Sequence, residues 1–174
     1  YIGLVAYLDR PRGPLVVDAS ALQVKASQVE GAGLGVYCAA PSLKKGTILG
    51  FYPGTVIPLE QNLGKLYAYP RCEAYIWRFS DSQKIIDPTD AEGRIQEMVY
   101  GGNPSTFGSI WICQNILPFF AKPTTLCRIN EPPIGRDVNV VTDEDLSQRT
   151  VTFRLERDVY QGEELFLDYG LTYD

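Results

Sequence analysis

Tyr169 is the residue whose place in the sequence most directly suggests chemistry. It closes the segment 162–170, in which a polar, glycine-containing turn leads into the alternating residues Leu165, Leu167 and Tyr169. This alternation predicts a buried strand that ends on a tyrosine. The ring of such a tyrosine packs against apolar neighbours, while its hydroxyl needs a polar partner. The phenol is therefore either a core group bonded to a carbonyl or an oriented hydroxyl in a functional site.

A glycine-rich loop, Gly31-Ala32-Gly33-Leu34-Gly35, is the second candidate for function. It is not a dinucleotide-binding fingerprint, because Val36 stands where the third glycine of that fingerprint belongs and the residues that follow read as a strand rather than a helix. Without side chains, the backbone of such a loop can approach a small ligand closely. A plain tight turn between two strands explains the same pattern, and both interpretations stay open.

Asn130 and Asn139 lie in a segment that cannot be regular, because Pro132, Pro133 and Gly135 interrupt it. An asparagine side chain both donates and accepts hydrogen bonds, so it can tie down irregular backbone or bind a zwitterionic ligand. Both roles stay open for Asn130. We assign Asn139 a structural role, in which it links this loop to the final strand.

Composition excludes several classes of function. The chain has 174 residues and no histidine, so no catalytic dyad or triad can use imidazole as its base. Its four cysteines are widely spaced without a Cys-x-x-Cys pair, which argues for buried free thiols and against a metal site. The net charge of −5 mildly favours a basic partner and argues against nonspecific nucleic-acid binding. No apolar run suits a bilayer span or signal peptide, so we expect an intracellular protein.

Short strands separated by glycine and proline predict a mostly β fold that positions these residues. In the strand 150–156, Val151, Phe153 and Leu155 share one face, which predicts that this face is buried. The other predicted elements are a hairpin of strands 22–26 and 35–39, a strand at 15–17, a strand at 47–52, a short helix at 59–69, a hairpin of strands 75–79 and 84–87, and a helical segment at 92–100.

The order of these motifs resembles the SET-domain lysine methyltransferases. The motifs are the glycine loop, Lys-Gly-Thr-Ile at 45–48, Tyr-x-Trp-x-Phe at 75–79, Arg-Ile-Asn at 128–130 and Gly-Glu-Glu-Leu-x-x-Asp-Tyr-Gly at 162–170. The resemblance implies a SET-domain β-clip fold of small curved sheets with a C-terminal pseudoknot and few short helices. It places an N-terminal lead-in at 1–21 and the SET domain at 22–174, with an insertion at about 90–125, and it brings Asn130 next to Tyr169.

The resemblance also implies which residues do what. Tyr169 matches the catalytic tyrosine, and Asn139 matches the second asparagine of the family motif Asn-His-Ser-Cys-x-Pro-Asn. Glu131 replaces the histidine of that motif, and the interval between the asparagines is three residues longer than usual. The residues expected to hold S-adenosylmethionine are Gly33, Leu34, Gly35, Asn130 and Glu131, and those expected to line the substrate channel are Tyr75, Trp77, Leu167 and Tyr173.

The implied activity is S-adenosylmethionine-dependent N-methylation of a protein lysine, with a histone tail as the expected substrate and the nucleus as the expected location. Two alternatives stay open: an enzyme acting on a non-histone protein, and a catalytically silent SET-like module that binds a protein without modifying it. The residues 98–123, with Phe107, Trp111, Phe119 and Phe120, would provide substrate or partner selectivity or simply cover the core. Leu167 stands where the family often has the aromatic residue that sets methylation number.

Overall fold

The fold is mostly β. The computed structural model describes residues 16–100 and 121–170, and within these ranges the strands form small antiparallel sheets of two or three members. The strands are β1 (Leu22–Ala26), β2 (Leu34–Cys38), β3 (Ser42–Leu43), β4 (Ile48–Phe51), β5 (Thr55–Pro58), β6 (Trp77–Arg78), β7 (Lys84–Asp87), β8 (Met98–Tyr100), β9 (Ala121–Pro123), β10 (Val140–Asp145), β11 (Thr150–Leu155) and β12 (Val159–Tyr160). An α-helix, α1 (Leu59–Ala68), and 3-10 turns at Ala19–Ala21, Pro70–Tyr75 and Thr125–Arg128 complete the described elements.

β1 and β2 form the predicted hairpin, with Val24 opposite Val36 and Ala26 opposite Leu34. A second sheet has the order β10-β11-β4, and its central strand alternates as predicted, with Val151, Phe153 and Leu155 fully buried. Because every second residue of β11 faces inward, this strand supplies the centre of the main hydrophobic core. The remaining sheets are β5-β7-β6, β3-β12 and β8-β9.

The predicted helix exists as α1, which begins after Pro58, whose φ of −58° suits the entry to a helix. Lys65 in its last turn donates a 2.7 Å hydrogen bond to the Asp87 carboxylate at the end of β7. Asp87 is buried and also accepts from the backbone and hydroxyl of Thr89. The ion pair therefore joins the helix to the sheet that contains Trp77.

The expected helical segment at 92–100 is wrong. The Asp90 carboxylate accepts hydrogen bonds from the backbone N–H groups of Glu92 and Arg94 and from the Gln96 amide, which closes a turn instead of a helix. Gly93 takes a positive φ of 72° within that turn, and β8 begins at Met98. The strand expected at 75–79 is also shorter, since residues 70–75 form a 3-10 turn.

The C-terminal segment lies between β2 and the stretch 129–140. It makes single bridges of Glu164 with Tyr37, Phe166 with Asn130 and Leu167 with Val140, so the regular strand predicted here is replaced by pairing that changes partner along its length. The N–H of Leu165 donates to Val36 at 2.7 Å, and that of Leu167 donates to Asn130 at 3.0 Å. This threaded C-terminal segment matches the predicted pseudoknot.

Several expectations concern residues outside the described ranges. These are the aromatic residues Phe107, Trp111, Phe119 and Phe120, together with Cys113, Tyr173 and part of the strand expected at 15–17. Cys38, Cys72 and Cys127 are buried free thiols, as predicted. Within the described ranges, no helix combines the length and apolar character that crossing a bilayer requires.

Candidate functional site

A cavity of about 790 Å³ lies between the β5-β7-β6 sheet and the C-terminal segment. Its lining combines aromatic and apolar side chains with the charged and hydroxyl side chains of Glu73, Arg78, Ser80 and Ser82. Its lining includes Tyr52, Trp77, Ile129, Phe153, Leu167 and Tyr169. Trp77, Leu167 and Tyr169 were expected at this site from the sequence.

Three aromatic rings form one wall of the cavity. The ring centroids of Tyr52 and Trp77 are 5.6 Å apart, those of Tyr52 and Phe153 are 5.7 Å apart, and those of Trp77 and Phe153 are 6.1 Å apart. Pairs in these arrangements stabilise by about 0.5–1.5 kcal/mol beyond the burial of area. The Tyr52 hydroxyl donates a 2.6 Å hydrogen bond to the Tyr75 carbonyl. Tyr52 is therefore held both by the packing of its ring and by the hydrogen bond of its hydroxyl.

Tyr75, which the resemblance places in the substrate channel, is not among the residues that line this cavity. It ends the 3-10 turn before β6, and it contributes a backbone carbonyl rather than its ring. Tyr52 lines the cavity, although it was not among the residues expected there from the sequence. The sequence offered a weak signal, since Tyr52 follows β4 directly and precedes Pro53.

Glu144 fixes the indole of Trp77. Its carboxylate accepts a 3.2 Å hydrogen bond from Trp77 Nε1, and it also accepts from the backbone N–H and hydroxyl of Ser80, which lines the cavity. Glu144 belongs to β10, so the contact joins two sheets across the wall of the cavity. An acidic residue in an exposed-looking Asp-Glu-Asp turn gives no sequence signal for this role.

Tyr169 faces the cavity from the C-terminal segment. Its hydroxyl donates a 2.5 Å hydrogen bond to the Ile129 carbonyl, and its backbone N–H donates to Glu131 Oε1 at 3.0 Å. The phenol thus has the carbonyl partner expected of a core tyrosine, and the same residue lines the cavity. Asn139 has the structural role assigned to it, since its amide donates to the Glu164 carbonyl and accepts from the Phe166 N–H.

The glycine loop lies beside Asn130. The Asn130 side-chain amide donates to the Leu34 carbonyl at 2.9 Å, although 96 residues separate the two. Gly31 and Gly33 have φ values of 79° and 73°, and a Cβ at either position would meet nothing within 4 Å. Leu34 is exposed. Open space therefore adjoins the loop at Gly31 and Gly33, close to backbone groups and the Asn130 amide, and backbone and amide groups of this kind suit a small zwitterionic ligand.

Gly35 is a glycine for a different reason. A Cβ there would stand 2.0 Å from Glu164 Oε1, so the space is filled by protein rather than left for a ligand. The fully buried Glu164 carboxylate accepts from the Ser27 hydroxyl at 2.6 Å, the Gln28 N–H at 2.9 Å and the Tyr37 hydroxyl at 2.9 Å. Burial, followed by the adjacent Glu164 carboxylate, raises the pKa of Tyr37.

Glu164 therefore anchors the glycine loop to the C-terminal segment, a role that sequence reasoning missed. Glu163 and Glu164 are indistinguishable by residue type, and the predicted alternation of Leu165, Leu167 and Tyr169 places Glu164 on the opposite face, whereas residues 164–167 are all buried. Cys127 also lines the cavity, and burial raises the pKa of its thiol to about 12. It is consequently a neutral, apolar-like group at physiological pH.

Comparison with known proteins identifies the fold. No protein-family model and no curated protein matches the sequence. Among solved structures, apo Polycomb Repressive Complex 2 of Chaetomium thermophilum, with substitutions in Ezh2, is 18% identical with a TM-score of 0.59 over 88% of this chain. The same complex in an autoinhibited conformation bound to S-adenosylmethionine gives a TM-score of 0.58 at 18% identity over the same share of this chain. The chain matches 15% of the length of each of these structures.

The methyltransferase domain of human PR domain-containing protein 2 is also similar. It is 18% identical with a TM-score of 0.51, and the match covers 88% of this chain and 79% of that domain. At this level of identity the likeness concerns the fold. The small sheets, the few short helices and the threaded C-terminal segment are accordingly those of the SET-domain fold.

Proposed function

We propose that this chain is an S-adenosylmethionine-dependent protein lysine N-methyltransferase. The observation that carries the proposal is the position of Tyr169, whose hydroxyl is held at the Ile129 carbonyl on the lining of a cavity with an aromatic wall. A site with an aromatic wall and an oriented hydroxyl suits the alignment of an amine for methyl transfer. Placement of reacting groups can supply several kcal/mol, about 7–11 kcal/mol in the most favourable cases.

The cofactor would be held by the loop residues Gly33 and Leu34, together with Asn130 and the backbone of Glu131. Gly35 contributes indirectly, because its missing side chain admits the Glu164 carboxylate that anchors the loop. When bound, S-adenosylmethionine supplies an activated methyl group on a sulfonium. The contribution of the chain is to bind and orient it through backbone groups and the Asn130 amide.

The lysine must be neutral to act as a nucleophile, whereas a free lysine has a pKa of about 10.4. Tyr52, Trp77, Phe153 and Leu167 would surround the amine with apolar surface, and desolvation favours the neutral form. No imidazole base is needed, in keeping with a chain that has no histidine. Tyr169 would orient the amine, and the Ile129 carbonyl would hold the direction of its hydroxyl.

The substrate we propose is a lysine-containing protein, with a basic histone tail as the first choice and a nuclear location to match. The net charge of −5 suits a basic partner. Incubating the chain with methyl-labelled S-adenosylmethionine and individual histones, then with other lysine-rich proteins, tests both choices. Mass spectrometry should locate the label on a lysine side chain, and a label on no protein would reject the enzyme.

A silent SET-like binding module is the second candidate. It is favoured by one observation, which is that the Asn130 amide donates to the Leu34 carbonyl of the chain itself and is engaged in holding the loop. Calorimetry separates the two candidates. Saturable binding of S-adenosylmethionine supports the enzyme, whereas binding of a histone peptide without any binding of S-adenosylmethionine supports the silent module.

A further inference from the structure

We propose that Glu131 is a positioning residue whose carboxylate fixes the backbone of Tyr169 and so sets the direction of the Tyr169 hydroxyl. The inference rests on the proposed function and concerns a position at which this chain carries glutamate in place of the histidine of the resembled motif. The contact that carries it is the 3.0 Å hydrogen bond from the Tyr169 N–H to Glu131 Oε1.

The contact lies where backbone pairing of the C-terminal segment stops. The bridge of Leu167 with Val140 is the last one described along that segment, and Tyr169 follows it by two residues. Gly170, with a φ of 80°, donates to the Asp168 carboxylate two residues before it and so closes a local turn. Tyr169 thus stands between a paired backbone and a turn, and Glu131 holds it to a segment 38 residues away.

The sequence around Glu131 favours this contact. Because Pro132 follows, the backbone of Glu131 is restricted to extended conformations. Less backbone entropy is therefore lost when Glu131 is fixed in this contact. An ionised acceptor also makes a shorter and stronger hydrogen bond than a neutral one. A carboxylate at this position is therefore suited to hold a backbone N–H, even though Glu131 is exposed.

Asn130 and Glu131 together connect two parts of the site. The Asn130 side chain bonds to Leu34 in the glycine loop, its backbone carbonyl accepts from Leu167, and the Glu131 side chain bonds to Tyr169. Ile129, the residue before them, accepts the Tyr169 hydroxyl. Loosening Glu131 should consequently disturb the direction of the phenol more than the binding of either substrate.

The test compares Glu131→Ala with Glu131→Gln, whose side-chain oxygen can still accept the hydrogen bond. Glu60→Ala is the control, because Glu60 is an exposed residue of α1 outside the site. The first readout is exchange of the Tyr169 amide hydrogen in the ligand-free chain. We expect exchange to become about tenfold faster in Glu131→Ala, the size expected for one lost hydrogen bond, and to stay near wild type in Glu131→Gln and Glu60→Ala.

The second readout is steady-state methyl transfer. We expect Glu131→Ala to lower kcat about tenfold with KM for the lysine peptide changed less than about twofold, and Glu131→Gln to restore most of kcat. Unchanged Tyr169 amide exchange in Glu131→Ala would overturn the inference, and so would an equal loss of kcat in both variants. A wild-type chain that transfers no methyl group rejects the proposed function instead, and the amide exchange still decides the role of Glu131.

Discussion

The Glu164 carboxylate occupies the space in which a side chain at Gly35 would stand, with Glu164 Oε1 only 2.0 Å from the position of a Cβ. The two residues are 129 positions apart in the sequence. Their close approach explains why residue 35 has no side chain and where the Glu164 carboxylate is buried. Gly35 leaves room for a buried carboxylate, and this carboxylate accepts hydrogen bonds from Ser27 and Gln28 in the connection between β1 and β2 and from Tyr37 in β2. The glycine loop and the C-terminal segment are joined at this point.

We therefore predict that Gly35→Ala is more harmful than Gly33→Ala. Overpacking typically costs about 1–3 kcal/mol, and the displaced carboxylate would lose its donors, so Gly35→Ala should lower the free energy of unfolding by about 3 kcal/mol. Gly33→Ala meets open space, and only its positive φ costs about 1 kcal/mol. Urea unfolding of both variants measures the difference. Equal losses would show that the Glu164 contact does not constrain residue 35.

The aromatic wall leads to a prediction about substrate binding. Trp77→Ala removes a ring that packs on Tyr52 and Phe153, and it should raise KM for a lysine peptide about tenfold, since losing such a contact costs about 1–2 kcal/mol. Tyr67→Ala is the matched control, because Tyr67 is an aromatic residue of α1 that is 93% exposed. If Tyr67→Ala and Trp77→Ala have the same KM, the cavity is not where the peptide binds.

Cys127 should resist alkylation in the folded chain. Burial raises the pKa of its thiol to about 12, so the reactive thiolate is scarce at pH 8 and increases tenfold per pH unit until the pH approaches that value. The unfolded thiol has a pKa of about 8.5, so the stabilising effect of the neutral thiol is complete below about pH 8.5 and is lost as the pH rises toward about 12. Iodoacetamide labelling followed by peptide mass spectrometry measures this. Rapid labelling of native Cys127 at pH 8 would contradict the burial described.

The pH dependence of turnover tests the proposed chemistry. A lysine that must lose its proton before reacting should react faster as the pH rises from neutral toward about 10, with no acid limb of the kind that a histidine base produces. Single-turnover measurements from pH 6.5 to about 10 check this when chemistry is limiting. A pH-independent rate under those conditions would mean that deprotonation of the substrate lysine does not control the rate, which contradicts the proposed chemistry.

The sequence predicted those parts of the fold in which a local pattern is enough. The period of two in β11 identifies Val151, Phe153 and Leu155 as core residues without any knowledge of the rest. The segment at 92–100 failed because Asp90 captures backbone donors that a helix would have used. That competition depends on side-chain geometry, which periodicity does not contain.

The candidate site was predictable only in part, for a similar reason. Tyr169, Trp77 and Leu167 could be found because they stand in motifs, and all three line the cavity. Tyr52, which follows β4, carried only a weak signal and Glu144 carried none, because both meet Trp77 through contacts between elements that are distant in sequence. Tyr75 ends a 3-10 turn at residues 70–75, so the strand alternation predicted from residue 75 begins only at Trp77.

The most direct test of the account is methyl transfer by Tyr169→Phe, compared with wild type on the same lysine peptide. The substitution removes the hydroxyl that donates to the Ile129 carbonyl and keeps the ring, so the unfolding transition should change little, by about 1 kcal/mol. Loss of an orienting hydroxyl should lower kcat by about 100-fold or more. Mass spectrometry of the peptide should therefore show methylated lysine with wild type and almost none with Tyr169→Phe. Equal methylation by both proteins would contradict the central claim.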